Sequence, residues 1–236
     1  MRRTVVSGLA ALGAGLAVAL FAASLPAQPP GARVSVHFID VGQADAVLVQ
    51  GNAGRCTILI DSGDTRYPGS SANFRDYLGR QLAAQATIDL AIATHPHSDH
   101  IGSMRWVLET YRVKTYIDNG QEHGSTLYRD LMAVVREQRQ RGLAYYPYAS
   151  VPVSVGDACG AGGPKLAVLY PPAGLDPDLC EKNQNNCSVV VKLTVGTTSF
   201  LFPGDAEHEE EELLLAGSGV GAQLDADVLK VGHHGS

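Results

Sequence analysis

No long run of lysine or arginine stands in this chain, and acids outnumber bases: 24 Asp and Glu face 18 Lys and Arg over 236 residues, a formal charge of −6. That balance excludes the broad basic stripe that holds duplex DNA or an anionic membrane by charge alone, so any phosphate handled here needs a local source of positive charge. Cysteine is scarce too. None of the 4 cysteines has the C-x-x-C spacing of a zinc knuckle, which removes thiolates from the candidate metal ligands. Beyond the N-terminal run, no repeat of fixed short period and no low-complexity segment is found. What is present is ordinary for a folded protein: 45% hydrophobic and 18% charged residues, enough chain for one large domain or two small ones.

The first 27 residues stand apart from the rest. Met1-Arg2-Arg3 precedes the uncharged run TVVSGLAALGAGLAVALFAASLPA, whose small residues offer cleavage points after Ser24 or Ala27, the pattern of an export signal. Val5 to Leu25 is also long enough to span a bilayer, so a permanent anchor is the alternative. Cleavage would remove two arginines and no acid, taking the formal charge from −6 to −8. The expected organisation is a signal or anchor over 1–27, a linker over 28–32 and one domain over 33–236, exported or held at the membrane. An oxidising compartment permits disulfides. Cys180 and Cys187 can close the polar loop LCEKNQNNC, while the connectivity of Cys56 and Cys159 is left open.

The remaining chain alternates two periodicities. RVSVHFIDVG, AVLVQ and CTILIDSG read as an early strand meander, and SANFRDYLGRQLAAQ as a helix with Phe74, Leu78 and Leu82 on one face. TIDLAIATH is a strand, IGSMRWVLETY a helix, and STLYRDLMAVVREQRQRG a long amphipathic helix ended by Gly142. VPVSVGDAC, PKLAVLYPP, SVVVKLTVG and TSFLFPG read as strands, AEHEEEELLLAGSG as an acidic helix, and ADVLKVG as a final strand. One α/β domain accounts for the whole.

Between strand TIDLAIATH and the helix after it lies HPHSDH, which spends three of the 8 histidines within six positions. A loop at a strand end is held rigidly yet stays open, where catalytic groups concentrate. His95 and His97, two apart on extended chain, can offer nitrogens to one ion, while Asp99 and His100 turn to serve a second.

THPHSDHIG resembles the signature of the metallo-β-lactamase superfamily. With VHFIDVGQADAVLV, ILIDSG, NNCSVVVKL, FLFPGDAE and DVLKVGHHGS in that order, the chain from about Arg33 to Ser236 resembles the metallo-β-lactamase-like domain of ComEC-type competence (DNA-uptake) proteins. The resemblance implies an αββα sandwich and two divalent ions, zinc or manganese. His95 and His97 match ligands of the first ion, Asp99 and His100 those of the second, Asp205 the bridging carboxylate, and His233 a late ligand of the second site. Asp61 matches a residue that orients the ligand loop, and Asp40 and Asp45 belong to an element of unassigned role. Many members place a further histidine where this chain has Asn185, Asn186 and Ser188, which leaves the first site poorer in nitrogen and the metal open between zinc and manganese. Relatives continue past HHGS with another strand, helix and histidine-bearing segment, so the expectation is a fragment ending at Ser236 or a sandwich without those closing elements.

The chemistry implied is metal-assisted hydrolysis, with Asp99 orienting or deprotonating the attacking water and Lys230 or His234 steadying negative charge. A phosphodiesterase or nuclease acting on a nucleic-acid substrate is the first expectation. A lactam, lactone or thioester hydrolase, or a truncated module that binds metal without turnover, is the alternative. ComEC-type proteins join this domain to a long transmembrane region; with at most one N-terminal span here, transport itself is not expected. The remaining histidines read as structural: His37 in a strand, His123 in a loop with a ligand role as its alternative, and His208 in a solvated helix start.

Overall fold

The computed structural model describes residues 34–51, 55–67, 69–147, 159, 163–170, 177–216 and 223–236. The N-terminal signal or anchor, the linker and most of the strand expected over VPVSVGDAC lie outside them. Among the described residues, no helix is long and apolar enough to cross a membrane.

The chain opens with the expected meander, β1 (Val34–Phe38), β2 (Val47–Gly51) and β3 (Cys56–Ile60), paired antiparallel. It then crosses over through α1 (Ser70–Gln81) to β4 (Thr87–Ile92), through α2 (Ser98–Ile101) and α3 (Met104–Thr110) to β5 (Arg112–Asp118), and through α4 (Thr126–Gln140) to β6 (Ala144–Pro147), each new strand parallel to the last. These form one sheet in the order β1-β2-β3-β4-β5-β6. The second sheet, β10-β9-β8-β7, is built from β7 (Lys165–Tyr170), β8 (Val190–Val195), β9 (Thr198–Phe202) and a two-residue β10 (Val228–Leu229). Between β7 and β8 come α5 (Pro177–Lys182) and a 3-10 turn over Gln184–Cys187; α6 (His208–Ala216) follows β9.

Strand alternation sorts the apolar residues into layers. On β2 and β3, Leu48 and Leu59 face a core shared with Phe74, Leu78, Val107, Leu131 and Val135 of the helices. Their neighbours Val47, Val49, Ile58 and Ile60 face the other way, onto Val191, Leu193 and Phe202 of the second sheet. The outer face of that sheet buries Val190 and Leu201 against Leu214 of α6. Helix, sheet, sheet and helix thus stack as an αββα sandwich, as the resemblance implies.

Two disulfides are present. Cys180–Cys187 closes the asparagine-rich loop as expected, and Cys56–Cys159 ties β3 to a residue far along the chain. Four residues of β6 carry no β-branched side chain and end in proline, so this edge strand has almost no local signature; it exists because β5 offers it a partner.

Candidate metal centre

The carboxyl ends of β4 and β9 converge, bringing the loop after β4 and the Pro-Gly-Asp turn after β9 to one edge of the sandwich. His97 precedes the first turn of α2, which carries Asp99 and His100. Gly102 lets this turn sit against the loop after β3. A Cβ there would lie 2.4 Å from the Gly63 carbonyl oxygen and 2.7 Å from that of Ser98, so no larger residue fits.

Asp61 fastens the two loops together. Its φ of 59° is left-handed, a conformation costly for a non-glycine residue and concentrated at functional sites. One carboxylate oxygen accepts the Thr94 amide at 2.8 Å; the other accepts the Thr94 hydroxyl at 2.8 Å and His100 Nδ1 at 2.9 Å. His100 is thereby fixed with Nε2 facing inward, 3.0 Å from Asp205 Oδ2. His95 Nε2 is 3.0 Å from His97 Nδ1 and 3.8 Å from the same Asp205 oxygen. Asp205 therefore stands between the two pairs of the HPHSDH loop.

The late histidines divide differently from the expectation. His234 Nε2 lies 3.3 Å from both Asp99 Oδ2 and Asp205 Oδ2, whereas His233 Nε2 is 3.9 Å from Asp205, and its Nδ1 is 3.0 Å from Glu207 Oε1. Asp99, His100, Asp205 and His234 form a group of four whose candidate ligating atoms all lie within 4.8 Å of one another. Both late histidines hold left-handed φ values, 40° and 52°, because the turn over Gly232–Gly235 swings them back toward the loops. Lys230 is not free: it pairs with Asp45 and donates to the Gly204 and Val231 carbonyls at 3.3 and 3.0 Å. Asp45, whose role the sequence leaves open, thus joins the site through Lys230 and through His234 Nδ1 at 3.6 Å.

Electrostatically the cluster couples buried carboxylates to histidines. Burial alone would raise the Asp205 carboxyl, yet His100 and His234 hold it well below the usual range. Burial opposes the charge on His100 as well, but Asp61 and Asp205 push it up to about 10. Hydrogen bonds to Asp205, Asp45 and Asp99 take His234 up to about 11. Burial and the neighbouring His100 keep His95 well below its ordinary value and hence neutral, the form in which imidazole ligates. His100 Nε2, although 3.0 Å from Asp205 Oδ2, makes no well-angled hydrogen bond, and buried Asp205 Oδ1 has no hydrogen-bond partner. A neutral His95, ionised carboxylates and inward-facing atoms fit divalent ions, whose positive charge would replace the protons now held on His100 and His234.

The asparagine-rich turn is gripped by α6, contrary to a merely solvated acidic helix. Asn183 and Asn185 donate to Glu207 at 2.8 and 2.6 Å, Asn186 donates to Glu209 at 2.9 Å, and the Ser188 amide donates to Glu210 at 3.2 Å. Glu210 is fully buried, and burial raises its carboxyl well above the ordinary value. Ser188 Oγ in turn accepts the Asp205 amide at 3.1 Å. Asn185, Asn186 and Ser188 thus brace the aspartate from behind.

The metallo-beta-lactamase superfamily model matches residues 39–236. The chain belongs to that superfamily. It is 32% identical over 213 residues to ComE operon protein 3 of Bacillus subtilis, covering 85% of this chain and 25% of that protein. It is 27% identical over 203 residues to Recombination protein 2 of Haemophilus influenzae, covering 85% and 21%. Both are ComEC-type competence proteins, and the chain spans a quarter or less of their length. Among solved structures, the short form of human tRNase Z is 14% identical, with a TM-score of 0.39 over 83% of this chain and 76% of that one. The structure brings the HPHSDH loop, Asp205 and His234 together at one edge of the sandwich; Asp45 and the acids at the start of α6 join them there without having been singled out from the sequence. Asp45 carried a signal in its DVGQ-x-D element, whereas the α6 acids carried none, since a run of glutamates at a helix start is explained by the helix alone.

Proposed function

We propose that this chain is a metal-dependent phosphodiester hydrolase acting on nucleic acid. The observation that carries the reading is the convergence on Asp205 of two sets of donors, His95 with His97 and Asp99 with His100, with His234 alongside them and buried inward-facing atoms between. His95, His97, Asp99, His100 and Asp205 would hold two ions, zinc or manganese, with Asp61 orienting His100 and His233 standing beside Asn185 and Glu207 rather than as a primary ligand. Ions held there supply Lewis acidity and the positive charge that an acidic surface lacks.

The chain's own groups divide the remaining work. Asp99 is held below the usual carboxylate range, with burial opposing and His234 lowering it; it faces an open cleft, placed to orient and deprotonate an attacking water. His234, clamped between Asp45 and the two aspartates, is placed to steady charge on a transferring phosphoryl oxygen. Lys230 serves by neutralising Asp45. Competence and recombination proteins as relatives favour nucleic acid as the polymer. Two disulfides and the apolar N-terminal run favour export or anchoring outside the reducing cytosol.

The test pairs bis-(4-nitrophenyl) phosphate and a labelled oligonucleotide against nitrocefin and a lactone, each with Mn²⁺ or Zn²⁺ and with chelator. Metal-dependent cleavage of the two phosphodiesters is expected, and Asp205→Ala should abolish it. Cleavage confined to the lactam or lactone would overturn the reading.

A further inference from the structure

Two clefts meet at His123. One, of about 580 Å³, is lined by His97 and Asp99 of the metal centre, by Arg66 across from them, and by His123 and Ser125. The other, about 500 Å³, leads away from His123 along α4, lined by Glu122, Tyr128, Arg129, Met132 and Arg136. The His97 and His123 rings are 5.9 Å apart, so the second cleft begins one ring contact from the metal centre.

The arginines on this path are exposed, and His123 is half-buried between the two clefts. Arg66 is gripped by buried Asp64, whose Oδ2 accepts Nε at 3.1 Å and Nη2 at 2.9 Å, while the arginine side chain stays 63% exposed. His123 Nδ1 accepts the Ser125 amide at 3.3 Å, which leaves Nε2–H as its donor. Arg129 and Arg136 are seven residues apart, two turns of one helix face about 10 Å long. Arg136 has no hydrogen bond or ion pair among the described residues, and the nearby helix acids are engaged elsewhere: Asp130 by Arg105 and Glu137 by Arg141. Beside Arg129, half-buried Tyr128 offers a ring on which a base can stack, and half-buried Met132 lies between the two arginines.

We propose that this path is a single-stranded polynucleotide track: Arg66 and His123 hold phosphates flanking the metal centre, and Arg129 and Arg136 hold the strand leading away along α4. It rests on the phosphodiester reading and names the form of its polymer. Two arginines beside an aromatic suit a flexible strand with accessible bases, whereas duplex binding rests on more phosphate contacts than this path offers.

The experiment is fluorescence anisotropy of a labelled twelve-nucleotide oligo-dT with chelator present, so that binding is read without turnover, over a salt series. Arg129→Gln with Arg136→Gln should weaken binding roughly tenfold at 0.1 M salt and flatten the slope of log K against log salt by about 1.4, or 0.7 for each lost phosphate contact. Glu122→Gln should tighten binding. Arg136→Gln alone, at an exposed and unpaired position, should flatten the slope by about half as much, and it keeps the test open if the double variant misfolds. An unchanged slope in both variants would overturn the track, as would a twelve-base-pair duplex bound as tightly as the single strand. Arginine-dependent binding without metal-dependent hydrolysis would support the track and count against the phosphodiesterase reading; hydrolysis of bis-(4-nitrophenyl) phosphate with arginine-independent binding would do the reverse.

Discussion

Asp118 ends β5 with its carboxyl buried, accepting the Gly120 amide at 2.9 Å and the Tyr145 hydroxyl at 3.1 Å. Burial outweighs those hydrogen bonds and raises the carboxyl to about 6. The folded state therefore favours the neutral acid, a contribution fully present below the unfolded value near 3.8 and lost as pH rises through about 6. Two pK units correspond to about 3 kcal/mol. Asp118→Asn keeps an acceptor for Gly120 and has no charge to bury, so urea melts should show it gaining up to that amount over wild type between pH 4 and pH 8. Equal pH profiles would refute the argument. At the metal centre, His97→Ala is expected to lower the metal content of the purified protein with little change in fold, because His97 sits on the open side of the loop; elemental analysis beside circular dichroism checks it. An unchanged stoichiometry would remove His97 from the ligand set.

The 3-10 turn that carries Asn185 is held from two sides, by the glutamates of α6 and by the Cys180–Cys187 disulfide. Cys180→Ser with Cys187→Ser should cost roughly 2 to 3 kcal/mol, the loop-closure value for so short a ring, read as a fall in urea midpoint. A loss of metal affinity should accompany it, because the turn braces Asp205 through Ser188; titration calorimetry would show whether it does. This element also marks how far sequence reading reaches. HPHSDH, the aspartate after β9 and the histidines after β10 were legible because their chemistry is local: a few ligating residue types on strand-end loops. The meander and α1 were legible by period. Glu210 was not, because a buried glutamate inside a glutamate run differs from its neighbours only by what packs on it. Arg129 and Arg136 were not, because two charges seven residues apart become one face only once the helix is formed and the loop bearing His123 is laid beside it. That His234 and not His233 lies against Asp99 and Asp205 depends on two left-handed backbone angles that no composition announces.

For the whole molecule, bound ions should act as stabilising ligands. At a hundredfold excess over Kd, occupancy adds about 2.7 kcal/mol, which for a domain of this size is on the order of 5 to 10 °C in Tm. A thermal melt with Mn²⁺ or Zn²⁺ against chelator should show that rise in wild type and a reduced one in Asp205→Ala; equal rises in both would place the binding elsewhere. The Cys56–Cys159 link carries a different consequence. It joins residues 103 apart in sequence, so a single backbone cut at any point between them leaves two fragments still covalently joined. A nicked chain would run as one species on a non-reducing gel and as two after reduction. Its halves could not diffuse apart, and their reassembly after denaturation would be first order in protein, set by the tether and not by dilution.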